Sequence, residues 1–287
     1  MNGVLVVYKE KGYTSRDVVN IVGKYLNTKK IGHTGTLDPL ATGVLVLCVG
    51  QGLKLVELLT DHDKEYIAKI RLGIETDTLD ITGNILKQEE VKNISLKEID
   101  EVLRTFVGKI KQEVPKYSAI KVKGKKLYEY AREGRAVELP IHEVEIYDLK
   151  LVSDIRNHEF YIKCHVSKGT YIRSLVRDIG ISLGTCATMV ELERTKLGQF
   201  GLEDTYTLED IDTGLYQMLS IEDVLDIPKV VVDNELERKI RNGQVLEKFF
   251  DGDMAMIKNQ EGKLIAIYQV MSDKVHVKPY RMFLENT

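Results

Sequence analysis

A chain of 287 residues, 43% hydrophobic and 30% charged, is long enough to bury a substantial core and to carry a small unit beside a large one. No apolar run reaches the ~18 residues of a membrane-spanning helix, and Cys48, Cys164 and Cys186 lie too far apart for a disulfide framework or a zinc site. A net charge of −3 does not announce a polyanion partner, so a nucleic-acid binder of this composition has to gather its cations on one face.

In chain order, Val4-Leu5-Val6-Val7-Tyr8 reads as a buried strand, a turn falls at Gly12, and Thr14 or Ser15 is placed to cap a helix. Val18, Ile21, Val22 and Tyr25 then share one helical face. Residues 32–43, GHTGTLDPLATG, make the densest Gly/Thr loop, and an apolar strand follows directly. Tyr66, Ala68, Ile70 and Leu72 alternate, as on a strand buried on one side. Ser95-Leu96-Lys97-Glu98 is a capping box, and Ile99, Val102, Leu103, Phe106 and Val107 continue it as a helix that Gly108 ends. Strands are expected near 143–151 and 159–166, and a helix from Tyr171 to Leu183. From 204 to 226 the chain is acidic and helical in character, with a helix start at Ser220-Ile221-Glu222-Asp223. Short strands follow at 229–232, 254–257, 264–270 and 275–277. Strands and helices mix without a βαβ rhythm, so the fold class is α+β. The opening residues carry neither a basic leader nor a small-residue cleavage site, and a cytoplasmic location is expected.

Within the loop, three glycines and three threonines surround one carboxylate, Asp38. Pro39 pushes Asp38 toward extended geometry, and small neighbours let a substrate come close. The loop lacks the Gly-Lys-Ser/Thr ending of a phosphate cradle. By residue type alone it reads equally as a rigid turn in which Asp38 bonds backbone amides. The cations are gathered further on. Between Ser118 and Arg135, Lys121, Lys123, Lys125, Lys126, Arg132 and Arg135 outnumber Glu129 and Glu133. Tyr117, Tyr128 and Tyr130 adjoin them, a mixture that suits RNA phosphates and unstacked bases. Asp77 and Asp80 lack the EF-hand pattern and read as turn-forming or RNA-edge residues.

The run HTGTLDPLATG resembles the signature loop of the TruB family of tRNA pseudouridine synthases. Lys64-Glu65-Tyr66 with Leu72-Gly73, Thr76-Asp77-Thr78, Asp80 and Gly83 is similar to the family's second motif. Pro115-Lys116-Tyr117-Ser118-Ala119 through Gly134 resembles its RNA-gripping insertion, and Ser167-Lys168-Gly169-Thr170-Tyr171-Ile172-Arg173-Ser174-Leu175 its third motif. The resemblance spans roughly residues 3–200. Asn242-Gly243-Gln244 resembles part of a PUA-type module. One departure stands in the first motif, usually Lys-Pro-x-Gly-x-Thr-Ser: Glu10 replaces the proline that would stiffen the turn after Lys9.

The resemblance implies a mixed, largely antiparallel sheet flanked by helices, with a small C-terminal β-rich PUA-like module. A catalytic domain is expected over 1–226 with the insertion at about 117–140, and the module over 227–287. The implied activity isomerises a uridine in the T-arm stem-loop of tRNA, family position 55, without cofactor, metal or obligate protein partner. Asp38 is the implied catalytic carboxylate. Arg173 is the buried cation that offsets its desolvation, and Tyr66 stacks on the uracil near its C5 proton. Lys9, His33, Tyr171, Leu192, Lys121, Lys123 and Arg132 are the implied substrate contacts. Guide-RNA-dependent relatives usually differ after Leu-Asp-Pro and lack the basic insertion, so Leu40-Ala41 and residues 117–135 favour the stand-alone type. An added tRNA-chaperone role stays open.

Overall fold

The computed structural model describes residues 1–283. Its centre is a nine-stranded sheet whose main path runs Gly3–Lys9, Thr42–Val49, Ala187–Leu197, Lys64–Leu72, Glu159–Val166, Ile141–Leu151, Gly108–Glu113. Neighbours are antiparallel except at one joint, where Thr42 and Gly43 run parallel to Glu193 and Arg194. That joint brings the end of the Gly/Thr loop against the middle of the Ala187–Leu197 strand. Gly43 has a φ of +100°, and a Cβ there would collide with the Arg194 backbone. Only glycine lets the two strands approach so closely.

The helices form where local signals place them. Thr14 caps Ser15–Tyr25 and Ser95 caps Leu96–Thr105, each in a capping box with the acid three residues on. Ile172–Ser182 buries Leu175, Val176 and Ile179, and with Ile99 and Leu103 these cover the strand residues Ala68, Ile70, Ile162, Cys164 and Met189. Tyr66, Ala68, Ile70 and Leu72 do share the buried face of their strand. All three cysteines are buried and free, and burial pushes the Cys48 and Cys164 thiols up to about 12. No helix among the described residues is long and apolar enough to cross a membrane.

The expected helix at Ser220 does not form. Ser220 and Asp223 close a single turn, and the only α-helix from 204 to 226 is Leu208–Asp212. Leu219, Ile221, Val224, Leu225 and Ile227 follow one another too closely for one helical face. All five pack into the same core cluster as an irregular chain.

Beyond Ile227 a five-stranded sheet runs in the order Lys229–Val231, Met254–Lys258, Leu264–Val270, His276–Met282, Leu246–Glu247. The expected strands are present, but a helix, Asn234–Arg241, lies among them, capped by Asp233. The two faces of this sheet enter different cores, although register shifts interrupt the alternation near Lys258 and Ile267. Ala255, Ile257 and Tyr268 pack with Ile240 in a core of their own, whereas Met256 and Ile267 join Val4, Val6, Val46, Leu55 and Leu59. The two units therefore share buried apolar surface.

Candidate active site

The Gly/Thr loop is held from below by the turn that precedes the first helix. Ser15 Oγ accepts from the Leu37 amide at 2.8 Å, and the Gly12 amide donates to the Pro39 carbonyl at 2.8 Å. Lys9 is fully buried, and its ammonium donates to the carbonyls of Glu10 and Tyr13 at 3.1 and 2.7 Å. This staple keeps the turn closed although Glu10 stands where a proline would stiffen it. Burial drives the Lys9 ammonium down to about 8, with the Arg194 charge pushing the same way and Asp38 opposing.

Asp38 leaves this loop opposite the start of the Ile172–Ser182 helix. Arg173 meets it with one edge of its guanidinium: Nε donates to Oδ2 at 2.8 Å and Nη2 to Oδ1 at 3.2 Å. Two further bonds run from Arg173 Nη1 to the Thr78 carbonyl at 2.9 Å and from Nη2 to the Tyr117 carbonyl at 3.0 Å. Arg173 is 5% exposed, while the Asp38 side chain is 34% exposed. The pair is thus anchored on the cation side and open on the carboxylate side. Such a two-bond fork fixes the carboxylate plane as well as its charge.

Above the pair lies a cavity of about 750 Å³, walled by Tyr66, Tyr117, Tyr128, Tyr171, Leu192 and Arg194 among others. Tyr66 is buried and its phenol pKa is raised, chiefly by burial, with the Arg194 charge opposing. Tyr171 caps the Arg173 helix, its amide donating to Gln112 Oε1 at 2.8 Å, and burial raises its phenol also.

Two cations of this wall carry no site role in the sequence, Arg194 going unremarked there and Lys64 standing only as part of the second motif. Arg194 is buried, donating to the carbonyls of Val44 at 2.7 Å and Gly35 at 3.2 Å, and so ties the loop to the sheet. It sits directly across from Tyr66 in the strand pairing. Lys64, two residues before Tyr66 on the same face, is buried, and burial first and Arg194 second lower its ammonium to about 8. Alternation was the available signal: Leu192 and Arg194 fall on one face of their strand, as do Lys64 and Tyr66.

The remaining expected residues lie at different distances from this cavity. His33 sits on the Ile31–His33 strand, half-buried, its Nδ1 accepting from the Gly35 amide at 3.3 Å. Burial, then the Arg16 and Arg194 charges, lower its pKa. Lys9 lies behind the loop, outside the cavity wall. Lys121 and Lys123 occupy an exposed two-stranded hairpin, Lys121–Val122 with Lys125–Lys126, and Arg132 stacks over Tyr128 at 5.2 Å in the helix that follows. None of the three lines the cavity, but Tyr128 does. Asp77 and Asp80 bond the backbone of their own turn through Asn84 and Thr82.

A mixed sheet with an appended β unit, carrying one clamped carboxylate under an aromatic pocket, is the architecture of a pseudouridine synthase. The chain superposes on a chain of an H/ACA RNP bound to a substrate RNA containing 2′-deoxyuridine, with TM-score 0.72 and 24% identity, covering 99% of this chain and 85% of that one. The TruB family pseudouridylate synthase N-terminal domain matches residues 23–172, and the tRNA pseudouridylate synthase B C-terminal domain matches residues 173–238. The tRNA pseudouridine synthase B of Oceanobacillus iheyensis is 42% identical over 304 residues, covering 99% of this chain and 98% of that protein. That of Caldanaerobacter subterraneus is 41% identical, covering 99% of each. The chain belongs to the TruB family of pseudouridylate synthases.

Proposed function

We propose that this chain isomerises the uridine at family position 55, in the T-arm stem-loop of tRNA, to pseudouridine, with Asp38 as the catalytic carboxylate. The bidentate Arg173–Asp38 pair at the floor of the cavity carries the reading. The reaction breaks the N-glycosidic bond, turns the uracil and joins C5 to the ribose, releasing the C5 proton. It calls for an ionised carboxylate with one open face, acting as nucleophile or base. Arg173 sets a positive charge against Asp38 and fixes the carboxylate plane through two bonds, leaving its other face to the cavity. The target base is flipped out of the folded RNA loop to reach it. Tyr66, protonated at neutral pH, stacks on the uracil and lies near the C5 proton. Tyr171 and Leu192 close the sides, and His33 contacts the RNA at the rim. Lys9 acts by holding the loop. Lys121, Lys123 and Arg132 grip the RNA from the exposed insertion, and residues 227 onward act as a PUA-like RNA-binding module.

The test is a pseudouridine map of an unmodified tRNA transcript after incubation with the pure protein. A single modified site in the T-arm is expected. Modification elsewhere would overturn the positional assignment, and none at all would overturn the activity.

A further inference from the structure

A second cavity, of about 640 Å³, lies beside the first helix, between it and the Ile31–His33 strand. Arg16, Asn20, Lys24, Asn27 and Lys29 line it, and no carboxylate does. We propose that this cleft binds the sugar–phosphate backbone of the substrate tRNA at nucleotides beyond the target uridine. The inference rests on the reading that tRNA is the substrate.

The charge arrangement is the first argument. Arg16, Lys24 and Lys29 have no carboxylate partner among the described residues. The contrast is with the Asn234–Arg241 helix, where Lys239 pairs with Glu235 and Arg241 with Glu237 one turn away. In the Ser15–Tyr25 helix the only acid, Asp17, is turned back onto Thr14. A lysine in the last turn suits the helix dipole, but Arg16 sits in the first turn, at the end that disfavours cations. Its charge has no local partner to explain it. In a chain of net charge −3, three clustered, unpaired cations mark the approach of an external anion.

Continuity is the second argument. Ile31, in the cleft wall, and His33 lie two apart on one strand and so face the same way. His33 is bonded to Gly35, which lines the catalytic cavity. A polyanion leaving that cavity over His33 therefore meets Arg16 next and Lys24 after it. Eight residues of helix separate these two, a span of ~12 Å, enough for several phosphates of one strand. Asn20 and Asn27 supply neutral donors and acceptors for ribose hydroxyls between them.

The experiment is a salt titration of tRNA affinity for the wild type, for the triple variant Arg16→Gln, Lys24→Gln, Lys29→Gln, and for the charge-preserving triple Arg16→Lys, Lys24→Arg, Lys29→Arg. Each lost phosphate contact lowers the slope of log affinity against log salt by ~0.7–0.9. The neutral triple should lose about two units of slope and roughly 10–100-fold in affinity at low salt. The charge-preserving triple should stay close to the wild type. Unchanged slope in the neutral triple overturns the inference, as does an equal loss in both triples. Should the neutral triple fail to fold, Lys24→Gln with Lys29→Gln is read the same way against about one and a half units of slope. Pseudouridine formation by the wild type is scored separately, so failure of the activity and failure of the cleft are distinguishable.

Discussion

Replacing Arg173 by lysine keeps one positive charge and removes the planar fork. The arginine makes four bonds, two to Asp38 at 2.8 and 3.2 Å and one each to the carbonyls of Thr78 and Tyr117 at 2.9 and 3.0 Å. A single ammonium reaches Asp38 or the two carbonyls, not both sets, so two of the four are lost. At ~1.5–3 kcal/mol for each bond to a charged group the loss is about 3–6 kcal/mol. Because the carboxylate side chain is 34% exposed, water recovers part of it, and the lower end applies. A misdirected carboxylate alone costs about 10²-fold in rate, and ~3–4 kcal/mol corresponds to 10²–10³-fold. The assay is single-turnover release of tritium from C5-labelled uridine in tRNA, with affinity measured in parallel. The rate should fall by about that factor with affinity little changed. A folded Arg173→Lys protein with a wild-type rate and weakened binding would make Arg173 a phosphate contact and refute the reasoning.

Asp38→Asn keeps the shape and removes the charge, so turnover should vanish while tRNA affinity stays within a few fold. Reproducible turnover by that protein would sink the assignment of Asp38. Lys9 titrates at about 8 in the folded protein and near 10.5 in the unfolded chain. The unfolded state therefore binds more protons between those values, and the Lys9 contribution makes stability rise with pH across that window. Lys9→Met should flatten the rise of melting temperature between about pH 8 and pH 10, and matching pH profiles would contradict the burial argument. Ile267→Ala opens a cavity in the core shared by the two units and should cost ~2–5 kcal/mol in a single melting transition. Two separate transitions would show that the C-terminal unit folds on its own.

What was legible in the sequence had local causes. Capping boxes at Thr14 and Ser95 start their helices where expected, and alternation from Tyr66 to Leu72 marks a one-sided strand. The contact of Asp38 with Arg173 has no such cause. The residues stand 135 apart, and only the likeness to a family joined them before the fold did. Arg194 was missed because Glu-Leu-Glu-Arg-Thr-Lys reads as a solvated stretch, and arginine is seldom wholly buried. The Asn234–Arg241 helix was missed because only Leu236 and Ile240 of its eight residues are apolar. The boundary near Asp226 separates the catalytic candidates from the β-rich end along the chain, yet residues on both sides of it enter one core cluster.

That shared core orders events during synthesis. Val4 and Val6 belong to the strand at the sheet's edge and are made long before Phe283, which packs in the same cluster. Before Met256, Ile267 and Phe283 are made, those valines lack part of their apolar cover on that side, and the nascent sheet stays sticky there. That core is thus complete only once residues of both units have been made. A ribosome stalled inside the C-terminal unit would display a synthase with its pocket residues all made and one face of its edge strand only partly covered.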